Sequence, residues 1–117
     1  LAALREAGIA TALLSNVGRD VTELLTATGL ADYFDAVVLS YQVGAVKPDP
    51  AIFSHALALL GVPAADTLMV GDNPGADSGA VAVGIRTMLL PRTWLPVRGL
   101  NVVCRIVGVP EPDLELA

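Results

Sequence analysis

The stretch Leu68-Met-Val-Gly-Asp-Asn-Pro-Gly-Ala-Asp77 decides the fold of this chain, because it joins a strand signal directly to a helix start. Its apolar run at 68–70 is bounded by turn residues, a pattern that predicts a short buried strand. Asn73 stands before a proline, as an N-cap residue stands before the first helical position. Asp72 is therefore expected at the carboxyl end of a strand, where open α/β sheets bind their ligands.

A second carboxylate, that of Asp77, falls in the first turn of the predicted helix. Because helical Cα–Cβ bonds tilt toward the N-terminus, we expect the Asp77 side chain to lean back toward Asp72. Two carboxylates that converge beside a helix N-terminus suit a hard cation such as Mg²⁺, which prefers oxygen ligands and few protein contacts. The stretch by itself therefore predicts a metal site.

The composition limits the classes of protein to consider. The chain has 117 residues, of which 54% are hydrophobic, so it is expected to form at most one domain with an aliphatic core. A net charge of -5 argues against a nucleic-acid surface. No apolar run approaches the roughly 18 residues that a membrane span requires. The lone Cys104 excludes an internal disulfide framework and fits a reducing cytoplasm.

Strand and helix signals alternate along the rest of the chain. Apolar runs predict further strands at 9–14, 36–39 and 86–90. Helices are predicted at 1–8, at 20–29 behind a capping box of Asp20 and Glu23, from Asp49-Pro50 to Gly61, and from Pro74 onward. Residues 40–47 are expected to be a loop, 102–104 a last short strand, and 110–117 a frayed acidic tail. This order predicts an α/β fold with a Rossmann-like parallel sheet.

Polar residues stand where the predicted strands and the loop end: Ser15, Asn16, Lys47, Asp72 and Asp77. If the strands are parallel, these strand ends share one edge of the sheet and the residues become spatial neighbours. A hydroxyl and a backbone N–H can hold phosphoryl oxygens, an ammonium can offset charge, and carboxylates can anchor Mg²⁺. Phosphoryl transfer is catalysed mainly by positioning and electrostatic stabilisation of this kind.

Three of these segments resemble, in the correct order, the motifs of the haloacid dehalogenase-like hydrolase superfamily, chiefly its phosphatases. Leu13-Leu-Ser-Asn16 resembles the second motif, a hydrophobic strand that ends in Ser or Thr, and Lys47-Pro-Asp-Pro50 resembles the third, the lysine motif. Gly71-Asp-Asn-Pro-Gly-Ala-Asp77 matches the fourth, the G-D-x-x-x-x-D form of the Mg²⁺-dependent members. Gly84-Ile-Arg-Thr87 resembles the usual approach to the next strand.

The resemblance implies a role for each residue. Ser15 is expected to bond the transferring phosphoryl group, with the backbone N–H of Asn16 beside it, and Lys47 to balance charge on the nucleophile and that group. Asp72 is expected to bind Mg²⁺ directly, and Asp77 to support the metal or the lysine. The implied reaction is hydrolysis of a small phosphorylated metabolite, a phosphomonoester, through an aspartyl-phosphate.

The sequence departs from the family at the first motif, D-x-D-x-[TV], which carries the nucleophilic aspartate. No D-x-D occurs in the 117 residues, and Leu1 to Gly8 resembles the helix that follows the family's cap. We therefore expect residues 1–117 to form a single partial core domain without the nucleophile, the cap and the central strand. Such a chain is expected to lack the covalent step, and to self-associate through exposed sheet edges.

Other readings of the sequence stay open. The chain could be a non-catalytic, partner-binding module, or pair with a separate chain that carries the nucleophile. Within the same superfamily, a phosphosugar mutase or a dehalogenase is an alternative, although the G-D-x-x-x-x-D form favours metal and so disfavours a dehalogenase. A response-regulator receiver domain would require an acidic cluster and a phospho-acceptor aspartate after its early strands, and the sequence has neither at those places.

Overall fold

The computed structural model describes residues 1–18, 22–91 and 100–109, which form an α/β fold. The strands are β1 (Ala12–Ser15), β2 (Ala36–Leu39), β3 (Leu68–Gly71) and β4 (Arg86–Leu89). The helices are α1 (Ala2–Glu6), α2 (Thr22–Ala27), α3 (Ser40–Val43), α4 (Pro50–Leu60), α5 (Pro74–Asp77) and α6 (Leu100–Ile106). Short 3-10 helices span Leu30–Tyr33, Ala64–Asp66 and Ser78–Val83. Among the described helices, none is both long and apolar enough to cross a membrane.

All four strands pair in parallel, as their alternation with helices predicts. β1 pairs with β2 so that Ser15 lies opposite Leu39, and β3 pairs with β4 so that Gly71 lies opposite Leu89. Within the described residues these pairs form two separate two-stranded sheets rather than one continuous sheet. The parallel arrangement places Ser15 and Gly71 at the carboxyl ends of their strands, where the predicted site residues follow.

The core lies between the longest helix, α4, and the strands. α4 packs against β1, β2 and the 3-10 helix Ser78–Val83, and this 3-10 helix in turn packs against β4. The innermost side chains are apolar and almost all aliphatic, with Phe53 and Ile52 fully enclosed. The buried cluster consists of Val38, Ile52, Phe53, Ala56, Ala80 and Ile85.

The bounds of α4 follow from its sequence as predicted. The Asp49 carboxylate accepts a hydrogen bond of 2.9 Å from the N–H of Ala51, and Pro50 occupies the first helical position, where its missing N–H has no cost. Gly61 ends the helix in the left-handed conformation at φ 68°, which glycine adopts without a steric penalty. The loop that carries Lys47 leads directly into the amino end of this helix.

Two predictions of local structure are wrong. Residues 40–43 form α3 instead of a loop, because a single turn is too short to show helical periodicity in the sequence. Residues 102–104 lie in α6 instead of a strand. There the apolar residues Leu100, Val103, Cys104 and Val107 repeat at helical spacing, and Val103 and Cys104 are buried.

Several other boundaries differ from the predicted ones. The first strand begins at Ala12, so residues 9–11 lie before it. The helix that opens at Pro74 remains α-helical only to Asp77 and continues as a 3-10 helix to Val83. Gly79 and the β-branched Val81 and Val83 lower the helix propensity of that segment, which is consistent with the change of helix type. The predicted capping residue Asp20 and the predicted tail at 110–117 lie outside the described residues.

Candidate active site

The carboxylate of Asp77 lies at the centre of the candidate site. Its Oδ1 accepts a hydrogen bond of 2.5 Å from Lys47 Nζ, and its Oδ2 accepts bonds from the backbone N–H groups of Asp72 and Asn73 at 3.1 and 3.0 Å. The Asp77 side chain is 4% exposed and that of Lys47 is 12% exposed, so this ion pair is largely removed from water. Asp77 thus closes the loop after β3 and holds the lysine against it.

The loop that carries Asp77 is shaped by its neighbours in the sequence. The side chain of Asn73 caps α5, accepting bonds from the N–H groups of Gly75 and Ala76 at 3.0 and 3.1 Å. Gly71 leaves the space that the Asp77 carboxylate occupies, because a Cβ at this position would collide with Asp77 Oδ2. The G-D-x-x-x-x-D spacing therefore has a local steric reason, independent of any ligand.

The environment of Asp77 favours its charged form. Burial alone would raise the pKa of this carboxyl, but hydrogen bonds from Lys47 and the Asn73 N–H, the charge of Lys47, and the Asp72 N–H together outweigh burial. The pKa of Asp77 is consequently lowered below its ordinary value. The charged Asp77 carboxylate thus fixes the position of the Lys47 amine to which it is paired.

Asp72 has a different environment from Asp77, although only five positions separate them. Its side chain is exposed, and among the described residues its carboxylate has no hydrogen-bond partner. It is therefore free to bind a ligand from solution, whereas both oxygens of Asp77 already accept bonds within the protein. No group of three or more His, Cys, Asp or Glu side chains suited to a metal occurs within the described ranges.

Ser15 and Asn16 end β1, and the structure connects Asn16 to the lysine segment. Asn16 Nδ2 donates to the Lys47 carbonyl at 3.1 Å, and the Lys47 N–H donates to Asn16 Oδ1 at 2.8 Å. Ser15 is half-buried, and its hydroxyl has no hydrogen-bond partner in the described part of the chain. The ends of β1 and β3 are thus joined through Lys47, although the two strands belong to separate sheets within the described residues.

Sequence reasoning missed two residues that shape this site. Ser40, directly after β2, is 5% exposed, and its Oγ accepts from the Val17 N–H at 2.8 Å and donates to the Val17 carbonyl at 2.9 Å. Gly79 lies against Pro48, because a Cβ at this position would be 2.5 Å from the proline Cβ. The sequence marks Ser40 only as a polar residue after an apolar strand, and Gly79 only as a weak helix residue.

Known proteins resemble this chain over most of its length. A family model described as a haloacid dehalogenase-like hydrolase matches residues 1–84. The chain is 43% identical over 98 residues to a phosphoserine phosphatase of Thermus thermophilus, and 38% identical over 91 residues to a plasmid-encoded phosphoglycolate phosphatase of Cupriavidus necator. These matches cover 82% and 77% of this chain but 39% of each relative, so the chain spans about two fifths of their length.

A solved structure shows the same fold. The crystal structure of a haloacid dehalogenase-like phosphatase from Thermococcus onnurineus superposes with a TM-score of 0.80 at 32% identity, covering 93% of this chain and 55% of that one. The motifs at the ends of β1 and β3, the matching family model and the common fold agree with one another. This chain therefore belongs to the haloacid dehalogenase-like hydrolase family.

Proposed function

We propose that this chain carries the lysine- and metal-holding part of a phosphomonoester hydrolase site. The observation that supports the proposal is the pairing of Lys47 with Asp77 beside the free carboxylate of Asp72. The ammonium that Asp77 holds in place and the unpaired carboxylate of Asp72 are groups that can bind a phosphoryl group and its metal. The phosphatases among the relatives support the same chemistry, with a small phosphorylated metabolite as the substrate.

Asp72 is the residue that fits Mg²⁺ best. It offers exposed carboxylate oxygens, and Mg²⁺ is usually bound by one or two carboxylates while it keeps several waters. Both oxygens of Asp77 already accept hydrogen bonds and its side chain is buried, so its role in this proposal is mainly to support the lysine. When bound, Mg²⁺ would neutralise developing charge on the phosphoryl oxygens and orient them.

Lys47 and the end of β1 would hold the phosphoryl group. The ammonium has three donors, of which one points at Asp77, so donors remain for phosphoryl oxygens. The hydroxyl of Ser15 and the backbone N–H of Asn16 are the proposed groups on the other side. The amide side chain of Asn16 is occupied by the Lys47 peptide, which supports assigning the backbone N–H to this role.

The covalent step requires an attacking carboxylate, and the 117 residues contain no D-x-D motif that would provide it. We infer that the nucleophilic aspartate comes from a segment outside these residues, either in the same protein or on a second chain. The sequence upstream of Leu1 in the coding region decides between these sources. A D-x-D-x-[TV] there would place the nucleophile in the same protein.

Binding of inorganic phosphate tests the proposal without requiring turnover. Isothermal titration calorimetry of the wild type should detect phosphate binding that depends on Mg²⁺. Asp72→Ala should weaken Mg²⁺ binding by at least about tenfold. Even the loss of a residue that only contacts a metal ligand lowers metal affinity roughly 10–100-fold. Asp66→Ala, at an exposed aspartate in the 3-10 helix Ala64–Asp66, is the matched control. Equal Mg²⁺ affinity in the wild type and Asp72→Ala would contradict the proposal.

A further inference from the structure

The side chain of Asn16 binds the main chain of the residue that carries the active-site amine. It donates to the carbonyl and accepts from the N–H of the same residue, Lys47, at 3.1 and 2.8 Å. Two bonds to one residue fix both the distance and the orientation of that stretch of backbone. The Lys47 side chain then extends from a fixed origin to Asp77, where its Nζ is bound.

Ser40 anchors the turn that carries Asn16. Its buried hydroxyl accepts from the N–H and donates to the carbonyl of Val17, which is the next residue after Asn16. Hydrogen bonds and the short stretches of chain between them thus form one series. It runs from Ser40 at the end of β2, through the turn after β1, to Lys47 and on to Asp77 after β3. Because β1 and β3 belong to separate sheets in the described structure, this series is a direct polar connection between the sheets.

We propose that Asn16 is a positioning residue for Lys47, and that Ser40 supports Asn16 by holding the turn after β1 in place. The inference deepens the proposed function, since it assigns a role to a residue of the same site. A lysine side chain has four rotatable carbon–carbon bonds, so its amine is placed accurately only if its backbone is fixed. Small displacements of a charge-stabilising group are costly in catalysis, so this positioning would matter to the phosphoryl step.

The chain is well suited to a direct test, because Lys47 is its only lysine. The rate at which N-hydroxysuccinimidyl acetate acetylates Lys47 can be followed by mass spectrometry at fixed pH, with the N-terminal amine resolved on a separate peptide. In Asn16→Ala we expect Lys47 to react about three- to tenfold faster, as the loss of two modest, partly solvated hydrogen bonds would allow. Ser40→Ala should raise the rate in the same direction by a smaller factor.

A stability control separates positioning from a general contribution to folding. Ile52→Val removes one methyl group from the core, at a fully buried residue outside the hydrogen-bonded series. If Ile52→Val and Asn16→Ala have equal unfolding free energies and equal acetylation rates, Asn16 acts only on stability and the proposal is wrong. An unchanged rate in Asn16→Ala would overturn it as well.

A measurement on the wild type covers the case in which Asn16→Ala does not fold. The Lys47 amide hydrogen should exchange with solvent at least about tenfold more slowly than in an unstructured peptide, because it is bonded to Asn16. Exchange at the peptide rate would contradict the proposal. Neither acetylation nor hydrogen exchange requires metal or substrate, so both remain interpretable if the phosphate-binding experiment fails.

Discussion

At the scale of single residues, the two aspartates of the Gly71–Asp77 loop have opposite environments. Asp77 is buried and bonded to Lys47 and to two backbone N–H groups, whereas Asp72 is exposed to solvent. The difference arises because Asp77 lies inside the first turn of α5, whose direction turns its side chain back into the loop. One carboxylate therefore organises the loop while the other remains available to a ligand.

The charge of Asp77 predicts a pH-dependent contribution to stability. Because the folded-state pKa of this carboxyl lies below its ordinary value, its contribution is complete above about pH 4 and is lost as the pH falls through the lowered pKa. At pH 7 we expect Asp77→Asn to cost about 3 kcal/mol of unfolding free energy, since it leaves a largely buried Lys47 ammonium without its counter-charge.

Urea denaturation of the wild type and Asp77→Asn at pH 7 and at pH 3 measures this contribution. The difference between the two proteins should become smaller at pH 3. Asp66→Asn, at an exposed aspartate, provides the control for a charge change without burial. A difference that stays the same at both pH values would show that the ion pair does not produce it.

At the scale of elements, the site depends on close contact between the Lys47 loop and the 3-10 helix Ser78–Val83. Pro48 lies against Gly79 in this helix, with no space for a side chain between them. The contact lies one residue after Lys47 and two residues after Asp77, so it presses together the two segments that supply the ion pair. Asn16 and Ser40 connect the same loop to β1 and β2.

Substitution of Gly79 by alanine tests this contact. The new Cβ would lie 2.5 Å from Pro48 Cβ and 2.8 Å from its Cα and carbonyl oxygen, so backbone has to move. We expect Gly79→Ala to lower the unfolding free energy by about 1–3 kcal/mol, as overpacked sites do. Urea denaturation at pH 7 measures this change.

Gly75→Ala is the matched control for Gly79→Ala. Its Cβ would meet only Asn73 Oδ1 at 3.6 Å, an ordinary contact. Because alanine has the higher helix propensity, this substitution in α5 should be neutral or stabilise the protein by up to about 1 kcal/mol. Equal losses of stability in both variants would contradict the steric explanation.

At the scale of the whole molecule, the described strands leave β1 and β3 each paired on one side only. We continue to propose that residues 1–117 are one partial domain of a longer architecture, which is consistent with their spanning 39% of the phosphoserine phosphatase relative. Unpaired backbone groups along a strand are a template for pairing with another chain. From this proposal we expect that the chain associates through its strand edges and that it has no turnover by itself.

The first prediction at this scale concerns association. We expect analytical ultracentrifugation to show species larger than the 12.0 kDa monomer that increase with protein concentration. Ala12→Lys places a charge on the edge strand β1 and should reduce these species, whereas Ala10→Lys, just before the strand, should not. A strictly monomeric protein with a cooperative unfolding transition would contradict association through the sheet edges.

The second prediction concerns turnover. We expect that the purified chain does not hydrolyse p-nitrophenyl phosphate in the presence of Mg²⁺, because we propose that the nucleophilic aspartate of the covalent step lies outside residues 1–117. Asp72→Asn serves as the control for a contaminating phosphatase. Turnover by the wild type that disappears in Asp72→Asn would show that the chain contains a complete site and that the expectation is wrong.

Local signals in the sequence determined much of the fold. Alternating apolar runs and caps predicted parallel strands, and Asp49-Pro50 and Gly61 predicted the limits of α4, because these preferences act over a few residues. α3 and α6 were missed, since one turn has no visible period and a three-residue apolar run does not distinguish a strand from a buried helix. The haloacid dehalogenase-like family was likewise recognisable from three short motifs.

Only the tertiary structure decided how the predicted site residues are connected. The sequence placed Asn16, Lys47 and Asp77 at the ends of elements, but the separations of 31 and 30 positions between successive partners are bridged only by folding. Burial then distinguishes Asp77 from Asp72, and close packing leaves no space for a side chain at Gly71 or Gly79. Contacts of this kind depend on the three-dimensional positions of distant segments, which local sequence preferences do not encode.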